Sequence, residues 1–198
     1  MYPERSKKPL VSAEITFRTS YVMYNPATSY GMKLKVGQKA PDFKLPDQNG
    51  KLHSLTENKG SWILIYFYPK DDTPGCTKEA CMIRNTLPDF KKLKCTVFGI
   101  SVDSIKSHKK FADKYKLSFT LLADEKKETV KKYNVWAKKT FMGKSYMGTR
   151  RTSFLIGPDG RIKKIYENVK PELHAQEVLD DLKIGLKFSK NLIGLDNK

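Results

Sequence analysis

The stretch "WILIYFYPKDDTPGCTKEAC", Trp62 to Cys81, changes character partway along. Its first seven residues form a continuous apolar, β-rich run, the pattern of a strand buried on both faces. A proline and two aspartates interrupt it. Thr73-Pro74 then reads as a helix start, because threonine suits the N-cap and proline the first helical position. That helix is expected to run from Pro74 to Leu87 and to end at Pro88, which can itself open a second short helix. A buried strand feeding straight into a helix is half of an α/β unit.

The neighbouring sequence repeats the alternation. "CTVFGISVD" (Cys95 to Asp103) is a second buried strand, and Ser104 to Lys116 reads as a helix. "FTLLAD" is a strand, and Lys126 to Tyr133 a short helix. Upstream, "KLKVGQKAPDFKLPDQNGKLHSL" reads as short strand pieces with a hairpin turn at Asn49-Gly50. Downstream, "TSFLIGPDGRIKKIYE" is a hairpin turning at Pro158-Asp159-Gly160, and Pro171 to Phe188 is a closing amphipathic helix. The expected fold is α/β: a central mixed sheet with helices on its faces. Residues 1–31 show no sustained period and are expected to be an extension, disordered or targeting. Residues 32–188 are the expected domain, and 189–198 a tail.

Composition sets limits. The 198 residues suit one domain with a sizeable core. No apolar run is long enough to span a bilayer, and no apolar segment of the secretory type follows the basic N-terminus. Three cysteines do not make a disulfide framework; they fit a reducing compartment, where a cysteine pair is catalytic or redox-sensing. The net charge is +17, and residues 104–144 alone hold 12 Lys against 4 acidic residues. These lysines fall in pairs on helix exteriors and loops, without zinc-finger spacing, glycine-arginine repeats or aromatic-basic interleaving. They read as a solvated surface, with nucleic-acid binding as the alternative.

The chemistry concentrates at Cys76 and Cys81. With Thr73 as N-cap, Cys76 occupies the third helical position, next to the unpaired amides of the first turn. Those amides and the helix dipole favour negative charge there, as a nucleophilic cysteine requires. Cys76, Ala80, Ile83 and Leu87 share one face, which turns Cys76 toward the core. Cys81 lies about 140° around the axis and about 7.5 Å along it. The two Cα atoms of an intact helix are then roughly 8 to 9 Å apart, beyond the roughly 7 Å a disulfide tolerates. Only a conditional disulfide, made when the helix opens, fits this spacing. A zinc site needs about four ligands, and the three histidines are far away in sequence.

"YPKDDTPGCTKEAC" resembles the active-site segment of the peroxiredoxins, P-x-x-x-T-x-x-C. Pro69, Thr73 and Cys76 match it, and Glu79 matches an acidic residue often found three positions on. A second cysteine five residues after the first is similar to the peroxiredoxin Q subfamily, also called bacterioferritin comigratory protein. The similarity covers roughly Lys33 to Phe188. "VGQKAPDFKLPDQNG" resembles the family's opening strands. "VWAKKTFMGKSYMGTRRTSFLIGPDG" resembles its later segment, where Arg151 matches an arginine preceding the strand. Gly157 departs from the family's usual Asp after "FLI", and the two ends of the chain lie outside the pattern.

The resemblance implies a thioredoxin-like fold and reduction of hydrogen peroxide and organic hydroperoxides. It implies that Cys76 attacks the peroxide and becomes a sulfenic acid, and that Arg151 stabilises the negative charge. Thr73 would bond the peroxide, Pro69 would shield the sulfur and Glu79 would hold an arginine. Cys81 would condense with the sulfenic acid to an intramolecular disulfide, which thioredoxin or a similar dithiol reductant would reduce. No metal or organic cofactor is implied.

Other residues have plainer readings. Cys95 is expected to be a small core residue, and Arg150 a surface charge on the opposite strand face from Arg151. Trp136 and Phe141 can line a substrate pocket or pack in the core. A monomer or weak dimer in the cytoplasm is expected; the N-terminal extension and positive charge raise an organelle or the nucleus as alternatives. A redox sensor without turnover and a nucleic-acid-associated basic protein are the competing functions.

Overall fold

The computed structural model describes residues 33–141 and 143–194, so the extension expected over 1–31 lies outside the described residues. In chain order the elements are β1 (Lys44–Pro46), β2 (Leu52–Ser54), β3 (Trp62–Phe67), α1 (Pro74–Lys92), β4 (Cys95–Ser101), α2 (Ile105–Tyr115) and β5 (Thr120–Ala123). They continue with α3 (Glu128–Lys132), β6 (Trp136–Phe141), β7 (Lys144–Thr149), β8 (Thr152–Ile156), β9 (Ile162–Glu167) and α4 (His174–Gly194).

One five-stranded sheet forms the centre, in the order β5-β4-β3-β8-β9. β3 runs parallel to β4 and β4 to β5, joined by the crossovers α1 and α2. β8 and β9 are antiparallel, which makes the sheet mixed as the Pro158-Asp159-Gly160 turn predicts. β3 lies in the middle, and its side chains alternate between two cores. Leu64 and Tyr66 pack with Ala80, Ile83 and Phe90 of α1 and Leu182 of α4. Ile63, Ile65 and Phe67 pack on the other face with Phe98, Tyr133 and Phe154. This two-sided burial is why the run is apolar at every position. β1 and β2 pair around Asn49-Gly50, where Gly50 takes a φ of +83° that favours glycine.

Several expectations need correction. α1 does not end at Leu87 but runs through Pro88 to Lys92. Phe90, fully buried two residues further on, favours continuation by about 1.5–3 kcal/mol. That is of the same size as the roughly 3 kcal/mol an interior proline costs. The Thr86 hydroxyl also donates to the Met82 and Ile83 carbonyls just upstream. α4 begins at His174 rather than Pro171, since Lys170 to Leu173 form a preceding turn, and it extends to Gly194. β6 and β7 form a separate antiparallel hairpin turning near Gly143 (φ +74°), which the sequence reading passed over. Arg151 directly precedes β8, as the resemblance implied, whereas Arg150 lies beside it in the link from β7 and not on a strand face.

Candidate active site

The site forms where the start of α1 meets the link before β8. Pro74 is the first residue of α1, so Cys76 falls at the third helical position. Its face is buried as its phase predicts: Cys76, Ala80, Ile83 and Leu87 are all buried. The Thr73 carbonyl accepts from the Thr77 amide at 2.8 Å. The Thr73 side chain makes no cap; its hydroxyl donates backward to the Lys70 carbonyl at 3.0 Å. Its oxygen lone pairs stay available to an incoming donor. Pro69 is half-buried in the loop between β3 and α1.

Arg151 arrives from 75 positions away. One guanidinium nitrogen, Nη2, donates to Cys76 Sγ at 3.2 Å, and the other, Nη1, donates to Glu79 Oε2. Glu79 sits on α1 three residues after Cys76 and is fully buried. Burial pushes its carboxyl up to about 7, against the pull of Arg151 in the other direction. For Arg151, burial opposes its charge, but Glu79 and Cys76 together hold its pKa above the ordinary value. The planar fork is what allows one side chain to bond both groups.

Residues that carry no motif of their own also lie close to this group. A Cβ added at Gly75 would lie 3.3 Å from Arg151 Nη2 and 3.8 Å from Pro171, so a glycine lets the guanidinium close on the helix start. The buried Tyr66 hydroxyl finds room over Gly99, where an added Cβ would come within 2.6 Å of it. Burial, then the charges of Glu79 and Cys76, raise that phenol well above its usual value, so it stays protonated. Lys139, one of the paired lysines expected on the solvated surface, is half-buried; its Nζ donates to the Thr149 carbonyl at 3.1 Å. Burial and then Arg151 lower its pKa, while Cys76 acts the other way. No local sequence signal separates Lys139 from the other paired lysines.

The remaining cysteines behave differently. Cys81 is half-buried on the same unbroken helix, and all three cysteines are free. Cys95 begins β4 in the core, where burial pushes its thiol up to about 12, as a packing residue would have it. Arg150 is exposed and donates to the Asn134 carbonyl at 2.9 Å. Trp136 packs partly buried against the second core, and the Phe141 side chain lies outside those described. Arg151, Arg150 and Lys139 border a cavity of about 580 Å³ whose apolar lining includes Tyr133, Val135 and Phe154. Among the described residues no cluster of three or more His, Cys, Asp or Glu side chains is placed to hold a metal, and no helix is long and apolar enough to cross a membrane.

Comparison with known proteins agrees with this geometry. Residues 36–165 match the AhpC/TSA family. A putative peroxiredoxin Bcp of Coxiella burnetii is 46% identical over 151 residues, 76% of this chain and 100% of that protein. Peroxiredoxin Bcp of Escherichia coli is 45% identical over 150 residues, 76% of this chain and 96% of that one. Among solved structures, a Xylella fastidiosa PrxQ variant superposes with a TM-score of 0.75 at 34% identity, covering 79% of this chain and 99% of its own. The bacterioferritin comigratory protein of Xanthomonas campestris gives 0.71 at 34%, covering 76% and 99%. The mixed sheet is therefore the thioredoxin-like one that the resemblance implied. With more than half of its length matched, and relatives aligned almost end to end, the chain belongs to the AhpC/TSA family, in its Bcp, or peroxiredoxin Q, branch.

Proposed function

We propose that this protein is a thiol peroxidase in which Cys76 reduces hydrogen peroxide and organic hydroperoxides. The observation that carries the reading is the 3.2 Å hydrogen bond from Arg151 Nη2 to Cys76 Sγ in a buried helix start. The thiolate sulfur attacks the terminal peroxide oxygen; the O–O bond breaks, the sulfur becomes a sulfenic acid and the alcohol or water leaves with a proton. Arg151, always charged, stabilises negative charge on the sulfur and then on the leaving oxygen. Glu79 holds the guanidinium in place. The Thr73 oxygen accepts a hydrogen bond from the hydroperoxide, and Pro69 keeps water from the sulfur.

Cys81 resolves the sulfenic acid. Its thiolate attacks the Cys76 sulfur, an S–S bond forms, the S–O bond breaks, and the oxygen leaves as hydroxide that takes a proton from solvent to become water. Thioredoxin or a similar dithiol restores both thiols by exchange. The X. campestris relative is described for alkyl peroxide reduction, which supports organic hydroperoxides as substrates. We take residues 32–188 as the working domain, a monomer or weak dimer of the cytoplasm. Thioredoxin-coupled peroxide turnover of wild type, Cys76→Ser and Cys81→Ser tests this reading. Wild-type activity that vanishes in Cys76→Ser supports it; full activity in Cys76→Ser overturns it.

A further inference from the structure

Two adjacent aspartates separate Lys70 from Thr73, and both reach across to α2. Asp71 is buried. Its amide donates to Asp103 Oδ2 at 2.9 Å, and its Oδ1 accepts from the Tyr68 hydroxyl at 2.7 Å. Its Oδ2 accepts from the Ser107 hydroxyl at 2.7 Å and lies 2.8 Å from Nδ1 of the fully buried His108. Asp72 turns outward with a left-handed φ of 54°, a conformation that persists in a non-glycine residue when its surroundings hold it. Its carboxylate accepts from Lys114 Nζ at 2.7 and 3.0 Å and from the Tyr115 hydroxyl at 2.6 Å.

The other tie lies inside α1. Arg84 Nη1 donates to the Tyr115 carbonyl at 2.6 Å. Tyr115 therefore holds a residue on each side of the segment containing Cys76 and Cys81: Asp72 through its hydroxyl, Arg84 through its carbonyl. Its ring meets Phe111 edge to face at 5.4 Å, and Phe111 is buried in the core. The post is thus fixed through the core cluster around Phe111, which the buried face of the bracketed segment, Cys76, Ala80 and Ile83, also joins.

We propose that Tyr115 bounds the opening of α1, so that Asp72 and Arg84 stay seated on it while unwinding is confined to residues 73–83. This rests on the peroxidase reading and adds what sets the fate of oxidised Cys76. The sulfenic acid has two exits. Cys81 displaces its oxygen as water, which needs the helix open. A second hydroperoxide instead oxidises it to the sulfinic acid, its O–O bond breaking and an alcohol leaving, which proceeds with the helix closed. Because both ends stay seated, the opened segment is a loop with fixed ends and fewer conformations than a freer one, which disfavours opening and favours the second exit; loosening either tie favours the first. Tyr115 touches no reacting atom and is a positioning residue.

Tyr115→Phe removes only the hydroxyl tie, and Arg84→Gln removes the other. In the full chain, rapid-quench mass spectrometry over a range of hydrogen peroxide reads the peroxide concentration that gives half sulfinic acid. That concentration should rise about threefold in each variant, the change in loop-closure cost when the free segment roughly doubles in length. Residue-resolved hydrogen exchange on wild-type disulfide should show protection lost within 73–83, with the Asp71 amide and α1 beyond Arg84 retained. A residue with only a structural role would lower the melting temperature without moving the partition. An unchanged partition in Tyr115→Phe, or wild-type opening that runs past Arg84, overturns the bracket alone. A wild type that consumes peroxide yet never forms the Cys76–Cys81 disulfide overturns both the bracket and the resolving step above.

Discussion

Arg151 Nη2 donates to Cys76 Sγ at 3.2 Å, although 75 positions separate the two residues in the chain. The same side chain closes an ion pair with Glu79, so one guanidinium ties the helix of Cys76 to the edge of β8. Replacing it tests chemistry and stability together. Arg151→Lys keeps the charge but cannot span both partners. It should lose about a hundredfold or more in kcat/KM, the scale for removing one transition-state donor. Arg151→Ala should lose as much activity and also about 3–5 kcal/mol of stability, because it leaves Glu79 buried without its partner. Stopped-flow peroxide consumption and urea unfolding separate the two effects. A wild-type rate in Arg151→Ala would remove its role.

Gly75 offers a cleaner probe, because its backbone is not in the glycine-favouring region. Gly75→Ala places a methyl 3.3 Å from Arg151 Nη2 and must move the guanidinium or the helix start by a few tenths of an ångström. The expected result is about tenfold slower peroxide reduction with the melting temperature unchanged or raised, since alanine favours helix over glycine by up to about 1 kcal/mol. Undiminished turnover would mean that the guanidinium position tolerates the shift.

The cysteine pair predicts a redox-linked change of structure. The reduced protein holds both thiols free on an unbroken helix. Peroxide should create a Cys76–Cys81 bond within one chain and unwind the surrounding turns, near a helix terminus where amides are already partly unsatisfied. Cys81→Ser should accumulate sulfinic acid, while Cys95→Ser should behave as wild type. Mass spectrometry of the oxidised protein decides it. A dominant Cys76–Cys95 or interchain disulfide would defeat this account.

His174, fully buried at the start of α4, is pushed down to about 4 by burial first and by Arg151 second. Its Nε2 lies 2.8 Å from the Ser153 hydroxyl. A folded value below the unfolded 6.5 means that the unfolded chain binds the extra proton first. The stability tied to this residue is therefore complete above about pH 6.5 and is lost as pH falls toward 4, by about 3 kcal/mol in all. Glu79, pushed up to about 7, works in the opposite direction as pH falls from 7 to 4.5. The comparison that isolates His174 is wild type against His174→Gln in urea at pH 7, 5 and 4. Their stability difference should shrink or reverse on acidification; a constant difference would refute the assignment.

Features that depend on near neighbours are legible before the chain folds. Continuous apolarity at Trp62 to Tyr68 reports a strand with both faces covered, and Thr73-Pro74 reports a helix start. The 3.6-residue phase then turns Cys76 inward and keeps it apart from Cys81. The motif around these residues was enough to suggest the family. Contacts across the chain do not show in periodicity or capping; only the family resemblance pointed to Arg151 and Glu79 beside Cys76. Pro88 stays inside α1 because Phe90 is buried against other elements, which no window around the proline reveals. Lys139 looks like its neighbouring lysines until the β6–β7 hairpin folds and half-buries it. The meeting of Arg151 with Cys76 and Glu79, and of Asp72 and Arg84 on Tyr115, depends on the order β5-β4-β3-β8-β9. Periodicity and capping act over about four residues, whereas these bonds link positions 31 to 75 apart that only the sheet brings together.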